Sequence, residues 1–381
     1  MKKKGLILML LCTAFISAFA QDVVEGQDNF EKGSMEFVEQ VMDLITIDRP
    51  KYTLSFYPLL DYSEQVGLDV GIMPVIVFKS HLQEVQKSKY SRPTSIVPSF
   101  SYSTKGQLHL DADLIYYNPN GWLVTSRMLW TRIPDTFFGI GGPTGEETSF
   151  FANTFGLEGV VLHPITDKFF LGGSYDLSWV SNSGFSNGGL NENINGYEGG
   201  FLTGIGLDAR FDTRNDILYP TKGEIFTFDY RYYFGDFTFQ HFELDLASFW
   251  SIGSPKNVIG VQGYYEFVVG DDVPFYKLPS LGGSRLLRSI GHPNKYIDNH
   301  IYYLQTEYRR HIYGRFGAAF FGGWGNRRED WSASLTRDGK WMCGAGLRFQ
   351  LLPKDHINFR LDIGKSPGEE VAIFFTMRES F

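Results

Sequence analysis

From Lys51 onward the chain is a succession of short stretches in which apolar and polar residues alternate. In 222–235, Phe226, Phe228, Tyr230, Tyr232 and Phe234 share one side of an extended chain, and Thr227, Asp229 and Arg231 share the other. In 341–352, Cys343, Ala345, Leu347, Phe349 and Leu351 oppose Gly344, Gly346, Arg348 and Gln350. In 356–364, Ile357, Phe359, Leu361 and Ile363 oppose Asn358, Arg360 and Asp362. In 299–311, Tyr302, Leu304, Thr306 and Tyr308 oppose Tyr303, Gln305, Glu307 and Arg309. The pattern predicts sixteen strands: 52–61, 66–79, 92–103, 107–117, 121–132, 149–162, 167–180, 200–212, 222–235, 238–251, 257–269, 299–311, 314–324, 341–352, 356–364 and 370–381. A soluble sandwich also alternates, with its apolar face inward. Here the apolar faces are rich in aromatic residues and the polar faces carry dense charge of both signs. Together with the even strand number, this predicts an all-β fold: a 16-stranded antiparallel transmembrane β-barrel, apolar outside and polar inside.

The connections support that reading. Asn118-Pro119-Asn120-Gly121 is a tight turn. Four long connections, 133–148, 181–199, 270–298 and 325–340, all fall on one side of the barrel, the extracellular side if the N-terminus is periplasmic. The sixth extracellular connection holds Leu281-Gly282-Gly283-Ser284-Arg285-Leu286-Leu287-Arg288-Ser289-Ile290-Gly291-His292-Pro293, which is punctuated by glycine and sets arginines among apolar residues. Such a loop makes sense if it folds back into a wet interior lined by the strand that follows. In the last strand Val371, Ile373, Phe375, Met377 and Phe381 share one face, and a terminal phenylalanine on an alternating strand is the mark read by outer-membrane assembly machinery. The first strand contains Pro58, which cannot donate to a ladder, so the junction of first and last strands is expected to be weak.

Ahead of the barrel, residues 1–20 read as a signal peptide: Lys2, Lys3 and Lys4, an apolar run from Leu6 to Phe19, and Ala18-Phe19-Ala20 before Gln21. Residues 21–50 form a short periplasmic segment, with Phe37, Val41, Leu44 and Ile45 near helical spacing. Helix 34–46 is a candidate docking piece by position. Residues 51–381 form the barrel domain. Aromatics at 16% and 42 glycines, with apolar content of 43%, suit a barrel with aromatic girdles. Removing the three lysines leaves 32 basic residues against 43 acidic, a net charge of −11, which argues against a nucleic-acid partner. Cys12 leaves with the signal peptide and Cys343 remains alone, so neither a disulfide framework nor a cysteine metal site is expected.

Three stretches resemble the BamA/TamA-type outer-membrane superfamily, also called bacterial surface antigens. The first is Gly206-Leu207-Asp208-Ala209-Arg210-Phe211-Asp212-Thr213-Arg214-Asn215-Asp216 followed by Tyr219-Pro220-Thr221-Lys222-Gly223. Within it Asp212, Thr213, Arg214, Pro220 and Gly223 match the family hairpin. The second is Gly282-Gly283 with Leu287-Arg288 before the 299–309 strand. The third is Gly344-Ala345-Gly346-Leu347-Arg348-Phe349 with Arg360-Leu361-Asp362-Ile363-Gly364. The resemblance covers roughly 52–381 and implies sixteen strands and a sixth extracellular loop folded into the lumen. It implies that an arginine of this loop, here Arg288, pairs with acids of the inner wall. Alternation independently places Glu307 and Asp362 on that wall. Ser289 and Ile290 stand where the family motif has glycine and an aromatic, and Gly323 where many members have aspartate. Assembly-active members carry periplasmic POTRA domains, for which residues 21–50 leave no room, so the resemblance is to a POTRA-less branch.

The expected setting is the bacterial outer membrane, with its lipids as surroundings. The expected function is to assist insertion, assembly or translocation of outer-membrane proteins or lipids through a weak seam between first and last strands. Client outer-membrane proteins or a separate periplasmic protein are the partners this implies. The alternative is a passive barrel or plugged narrow pore. No catalytic motif or cofactor site stands out. His292 and His300 with Asp298, and Asp208, Asp212 and Asp216 at four-residue spacing, are the only sets that suggest metal. Polar surface accounts for the first set, and lumen and turn positions for the second.

Overall fold

The computed structural model describes residues 46–63, 65–79, 94–118, 121–332, 338–352, 357–377 and 379–381. The expected signal peptide and nearly all of the 34–46 helix lie outside these residues. The unit Asp48–Phe381 is a β-barrel. Its sixteen strands are β1 (Tyr52–Ser63), β2 (Gly67–Phe78), β3 (Ser95–Ser103), β4 (Leu108–Tyr117), β5 (Leu123–Phe137), β6 (Thr148–Pro164), β7 (Phe169–Ser183), β8 (Gly199–Asp212), β9 (Gly223–Gly235), β10 (Phe239–Ile252), β11 (Ser254–Val269), β12 (His300–Tyr313), β13 (Phe316–Arg328), β14 (Lys340–Leu352), β15 (Ile357–Lys365) and β16 (Ala372–Met377). Each pairs antiparallel with its neighbours in sequence, and β16 returns to β1, so the sheet closes on itself. Closure is what lipid demands, because an open edge would leave backbone groups with no partner in hydrocarbon.

All sixteen expected strands are present. Several run past the expected ends: β5 continues to Phe137, pairing Ile133–Phe137 with Thr148–Ala152, and β11 begins at Ser254, with Gly253 at φ 67 making the turn from β10. One rim, the loop rim, carries the connections 138–147, 184–198, 270–299 and 329–339. The opposite rim is not uniformly tight, because 213–222 is a ten-residue connection there.

The two faces sort as alternation predicts. Leu207, Trp179, Leu246, Leu304, Phe320 and Leu347 are exposed on the outside, where lipid covers them. The inner wall holds buried Asp69, Asp111, Asp176, Asp208, Gln262, Gln305, Glu307, Arg309, Arg348, Arg360 and Asp362. One row of this wall sets four acids directly opposite one another, Asp208, Asp229, Glu243 and Glu266 across β8 to β11. Arg231 offsets the repulsion at 3.1 Å from Asp229, and His241 at 2.8 Å from Glu266.

Ring closure is uneven. Neighbouring strands share longer registers, such as fifteen residue pairs between β5 and β6, whereas among the described residues β16 and β1 share the single pair Phe375–Tyr62. Tyr62 lies at the loop-rim end of β1, so the junction is paired at that end. Placing a charge on the lipid face tests the assignment of faces. Leu207→Arg is expected to lower unfolding free energy in lipid vesicles by about 2–4 kcal/mol. An unchanged denaturant midpoint would mean that Leu207 does not face lipid.

Candidate functional site

The loop 270–299 fills the loop-rim half of the lumen. Phe275–Lys277 forms one 3-10 turn, and Ser280–Leu281 then pairs with Tyr296–Ile297 to make a short stem. Above the wall, Phe275 and Leu278 pack with Phe137, Phe150, Leu190, Tyr233, Phe239 and Ile297 in an apolar dome. Lys277 reaches the far wall, with its Nζ 2.8 Å from Asp176 Oδ2, which also accepts the Tyr233 hydroxyl. Below the stem, Leu281, Leu287, Ile290 and Tyr296 pack on Ile301, Tyr303, Phe321 and Met342 of the inner wall. This apolar footing explains why a glycine-punctuated loop settles inside a charged lumen. It buries leucine and isoleucine against an apolar strip of the wall.

The loop backbone is bent to deliver an arginine. Leu287 sits at φ 52, a left-handed conformation that costs a leucine energy, and Ser289 N–H and Ile290 N–H both donate to the Leu287 carbonyl. Gly364 on β15 lets the loop touch the wall, since a methyl group there would overlap the Arg288 carbonyl. Arg288 is wholly buried. Its Nη1 donates to Glu307 Oε2 at 2.6 Å and to Asp362 Oδ2 at 2.7 Å, and its guanidinium lies 3.8 Å from the centre of the Phe321 ring. The structure therefore brings Arg288, Glu307 and Asp362 together. Their geometry is not a bidentate fork, because one nitrogen serves two carboxylates.

Other arginines take the remaining oxygens. Arg348 donates to Asp362 Oδ1 at 2.6 Å, to Glu307 Oε2 at 3.2 Å and to Glu379 Oε2 at 2.8 Å. Arg360 Nη1 lies 3.2 Å from Asp362, and Arg309 Nε 3.5 Å from Glu307. Four cations thus surround three carboxylates, nearly all buried. Gly346 makes room for this, since a side chain there would strike Asp362 and Arg348. Alternation had placed Arg309, Arg348 and Arg360 on the inner face. The signal that they join Arg288 was their shared face with its acids and the direct opposition of Arg348 to Arg360. Glu379 gave no such signal.

The family hairpin sits at the opposite rim. Arg214 grips Asp212 through Nε at 3.0 Å and Nη2 at 2.8 Å, and Thr213 exchanges hydrogen bonds with Glu224. Asn215 and Asp216 accept backbone N–H groups of the same turn. Gly223 takes φ 101, where a side chain would strike the Thr213 carbonyl. Pro220 offers its carbonyl to Arg309 at 3.1 Å, and Arg309 lies over Tyr219. Asp208, Asp212 and Asp216 do different jobs on wall and turn. His292 lies 3.5 Å from Asp135, and His300 faces outward, bonded to the Tyr265 hydroxyl at 2.9 Å. No group of three or more metal-ligating side chains forms among the described residues.

One expected position differs. Phe381 does not continue the outer face of Phe375. β16 ends at Met377, and Phe381 stacks on inner-wall Phe249, with ring centres 5.9 Å apart. Glu379 lies inside the barrel as well, accepting from Arg348 and Asn358.

A closed sixteen-stranded barrel whose own loop enters the lumen and is held there by a buried arginine is an outer-membrane β-barrel of a particular architecture. The chain belongs to the Omp85 superfamily, whose domain matches residues 99–359. Solved structures of the same fold include BamA from Haemophilus ducreyi lacking POTRA domains 1-3, at 14% identity over 86% of this chain and 70% of that one, with TM-score 0.59. CdiB from Escherichia coli matches at 12% identity over 87% of this chain and 63% of its own, with TM-score 0.60. CdiB from Acinetobacter baumannii matches at 12% over 85% and 59%, with TM-score 0.55. The chain spans less than two thirds of either CdiB, and at these identities the likeness is one of fold. No curated protein matches the sequence.

Two predictions follow from the loop's anchors. Arg288→Ala leaves Glu307 and Asp362 short of one cation and is expected to cost about 3 kcal/mol, the low end for breaking a buried pair, because Arg348 and Arg360 remain. Denaturant midpoints, with protease cleavage within 281–293, would read it; unchanged cleavage would mean that Arg288 does not hold the loop. At the loop rim, Glu369 accepts from Lys295 Nζ at 2.7 Å and from the Tyr296 hydroxyl, with Lys340 Nζ 3.4 Å away. Burial alone would raise its pKa. The hydrogen bonds from Lys295 and Tyr296 and the nearby lysines outweigh this and hold it below the ordinary value. A lowered pKa stabilises fully above the unfolded value, about 4.3, and the effect is lost as pH falls through the folded value. Amide exchange at 294–297 should therefore gain extra speed on acidification from about pH 7 to about pH 3, beyond the intrinsic trend. Glu369→Gln should abolish that extra gain, and an equal gain in the variant would exclude Glu369 as its source.

Proposed function

We propose that this barrel assists the entry of outer-membrane proteins or lipids into the membrane by parting the junction of β16 and β1. The observation that carries the reading is that, among the described residues, a single residue pair is registered across that junction. A ring of long antiparallel registers parts most cheaply where the fewest ladder bonds hold it, and a parted strand edge is a template for a new strand. Pro58, midway along β1, offers no N–H toward a ladder. The chain's membership of the Omp85 superfamily and its fold likeness to BamA support the same reading. Substrate reception would fall to residues ahead of the barrel or to a separate periplasmic protein.

The second reading is a passive, plugged barrel. It draws on the loop 270–299 packed inside the barrel at one rim and on the Tyr219–Pro220 turn that contacts Arg309 of the wall at the other. A disulfide across the junction separates the two. With Cys343 replaced by serine, Tyr62→Cys and Phe375→Cys are directly opposed. Oxidation is expected to abolish insertion of a reporter barrel protein into vesicles, and reduction to restore it. Insertion that continues in the locked form would overturn the opening mechanism and leave the plugged barrel.

A further inference from the structure

The C-terminal tail departs from its strand for a reason that register and charge supply. Continued straight from the Phe375–Tyr62 pair, β16 would set Glu379 opposite Pro58, Ser380 opposite Tyr57 and Phe381 opposite Phe56. Odd-numbered residues of β16 face outward, as exposed Val371 and Ile373 show. A straight tail would therefore turn the Glu379 carboxylate toward lipid, where a charge is costly, and would extend the ladder along β1 over several further residues. The tail instead turns into the lumen. Glu379 accepts from Arg348 Nε at 2.8 Å and Asn358 Nδ2 at 3.0 Å, Ser380 is buried, and Phe381 packs on Phe249. Arg348 spends its other two nitrogens on Asp362 and Glu307, the same carboxylates that hold Arg288 of the lumen loop.

We infer that Arg348 and Glu379 are positioning residues that set the length of the β16–β1 junction and tie it to the seating of the loop. Building on the opening proposed above, they give it a control. With Arg288 in place, Glu307 and Asp362 are largely neutralised and Arg348 can spare its Nε for Glu379. The tail stays inside and the junction stays short. When the loop withdraws Arg288, the two wall acids compete more strongly for the Arg348 guanidinium, and Glu379 loses its cationic partner, keeping only the Asn358 bond. A released tail can then pair along β1 and lengthen the junction, or yield its place to another strand. A seated loop thus goes with a short junction, and an unseated loop with a free tail.

The test reads tail position directly. In the full chain, in lipid vesicles and with Cys343 replaced by serine, Tyr57→Cys and Ser380→Cys stand opposite each other only if the tail is straight, close enough to bridge. Disulfide formation is expected to be slow with Glu379 present. Glu379→Gln should speed it about five-fold or more, the lower end of ordinary coupling between sites, and Arg288→Ala should act in the same direction. Glu379→Asp, which keeps the charge, should stay near the parent rate, an outcome a purely steric role would not give. Asn358→Ala removes the other bond to Glu379 from outside the arginine cluster and should give a smaller rise. Heat-modified gel mobility reports folding of each variant, and Asn358→Ala carries the test if Glu379→Gln fails to fold. Unchanged rates in Glu379→Gln and Asn358→Ala would overturn the clip. A rise in Glu379→Gln with none in Arg288→Ala would overturn the tie to the loop. Reporter insertion measured on the same variants is a separate readout. Tail release without any effect of the junction lock on insertion would remove the proposed function and leave the clip standing.

Discussion

A sheet in lipid cannot have an edge. Every structural choice in this barrel sits under that constraint, because an unpaired ladder in hydrocarbon leaves N–H and C=O groups with nothing to bond. Fifteen of the sixteen junctions meet it with long registers between consecutive strands. The sixteenth joins the first and last strands and has one registered pair among the described residues. It is also the junction whose strands carry Pro58 on one side and a charged tail, Glu379, on the other. Both features work against a longer ladder there. The weakness is written into the residues of the two terminal strands.

The lumen follows a second constraint, that buried charge must be compensated. Glu307 and Asp362 would be intolerable alone inside the wall, and so would Arg309, Arg348 and Arg360. Set together they nearly balance, and Arg288 enters from the loop as one more member of the set. The loop is therefore held by a network already present on the wall. The glycines beside it fit the same scheme: Gly364 admits the loop backbone and Gly346 admits the Arg348 side chain. Specificity here comes from where side chains are missing as much as from where charges stand.

Much of this was legible in one dimension. A period of two shows directly in a strand, so all sixteen strands and the sorting of Glu307 and Asp362 to the inner face could be read from alternation, and a family resemblance singled out Arg288. What could not be read depends on partners far apart in sequence. Alternation sends Phe381 outward; the Glu379–Arg348 bond, set by the register of β14 with β15 and β16, turns it in. Lys277 looks like any loop lysine until the fold brings it to Asp176, 101 residues away. That Arg288 shares its carboxylates could not be read either, because Arg348, which takes part of both, meets them only through the fold.

The departures from the family motif can be judged on the same physical terms. Ser289 and Ile290 stand in place of a glycine and an aromatic just after the loop arginine, and the left-handed conformation of this turn is taken by Leu287. Leu287 can bear that strain because its side chain is wholly buried against the wall, so packing offsets what the backbone loses. Ile290 keeps an apolar side chain in the same cluster, and Ser289 gains a hydroxyl partner in Ser366 at 2.7 Å. Gly323 offers no carboxylate on β13, and the loop arginine is held by Glu307 of β12 and Asp362 of β15. In this chain Asp362 of the loop's anchor lies on β15, next to β16, and Arg348 of β14 bonds both to that anchor and to Glu379 in the tail beyond β16.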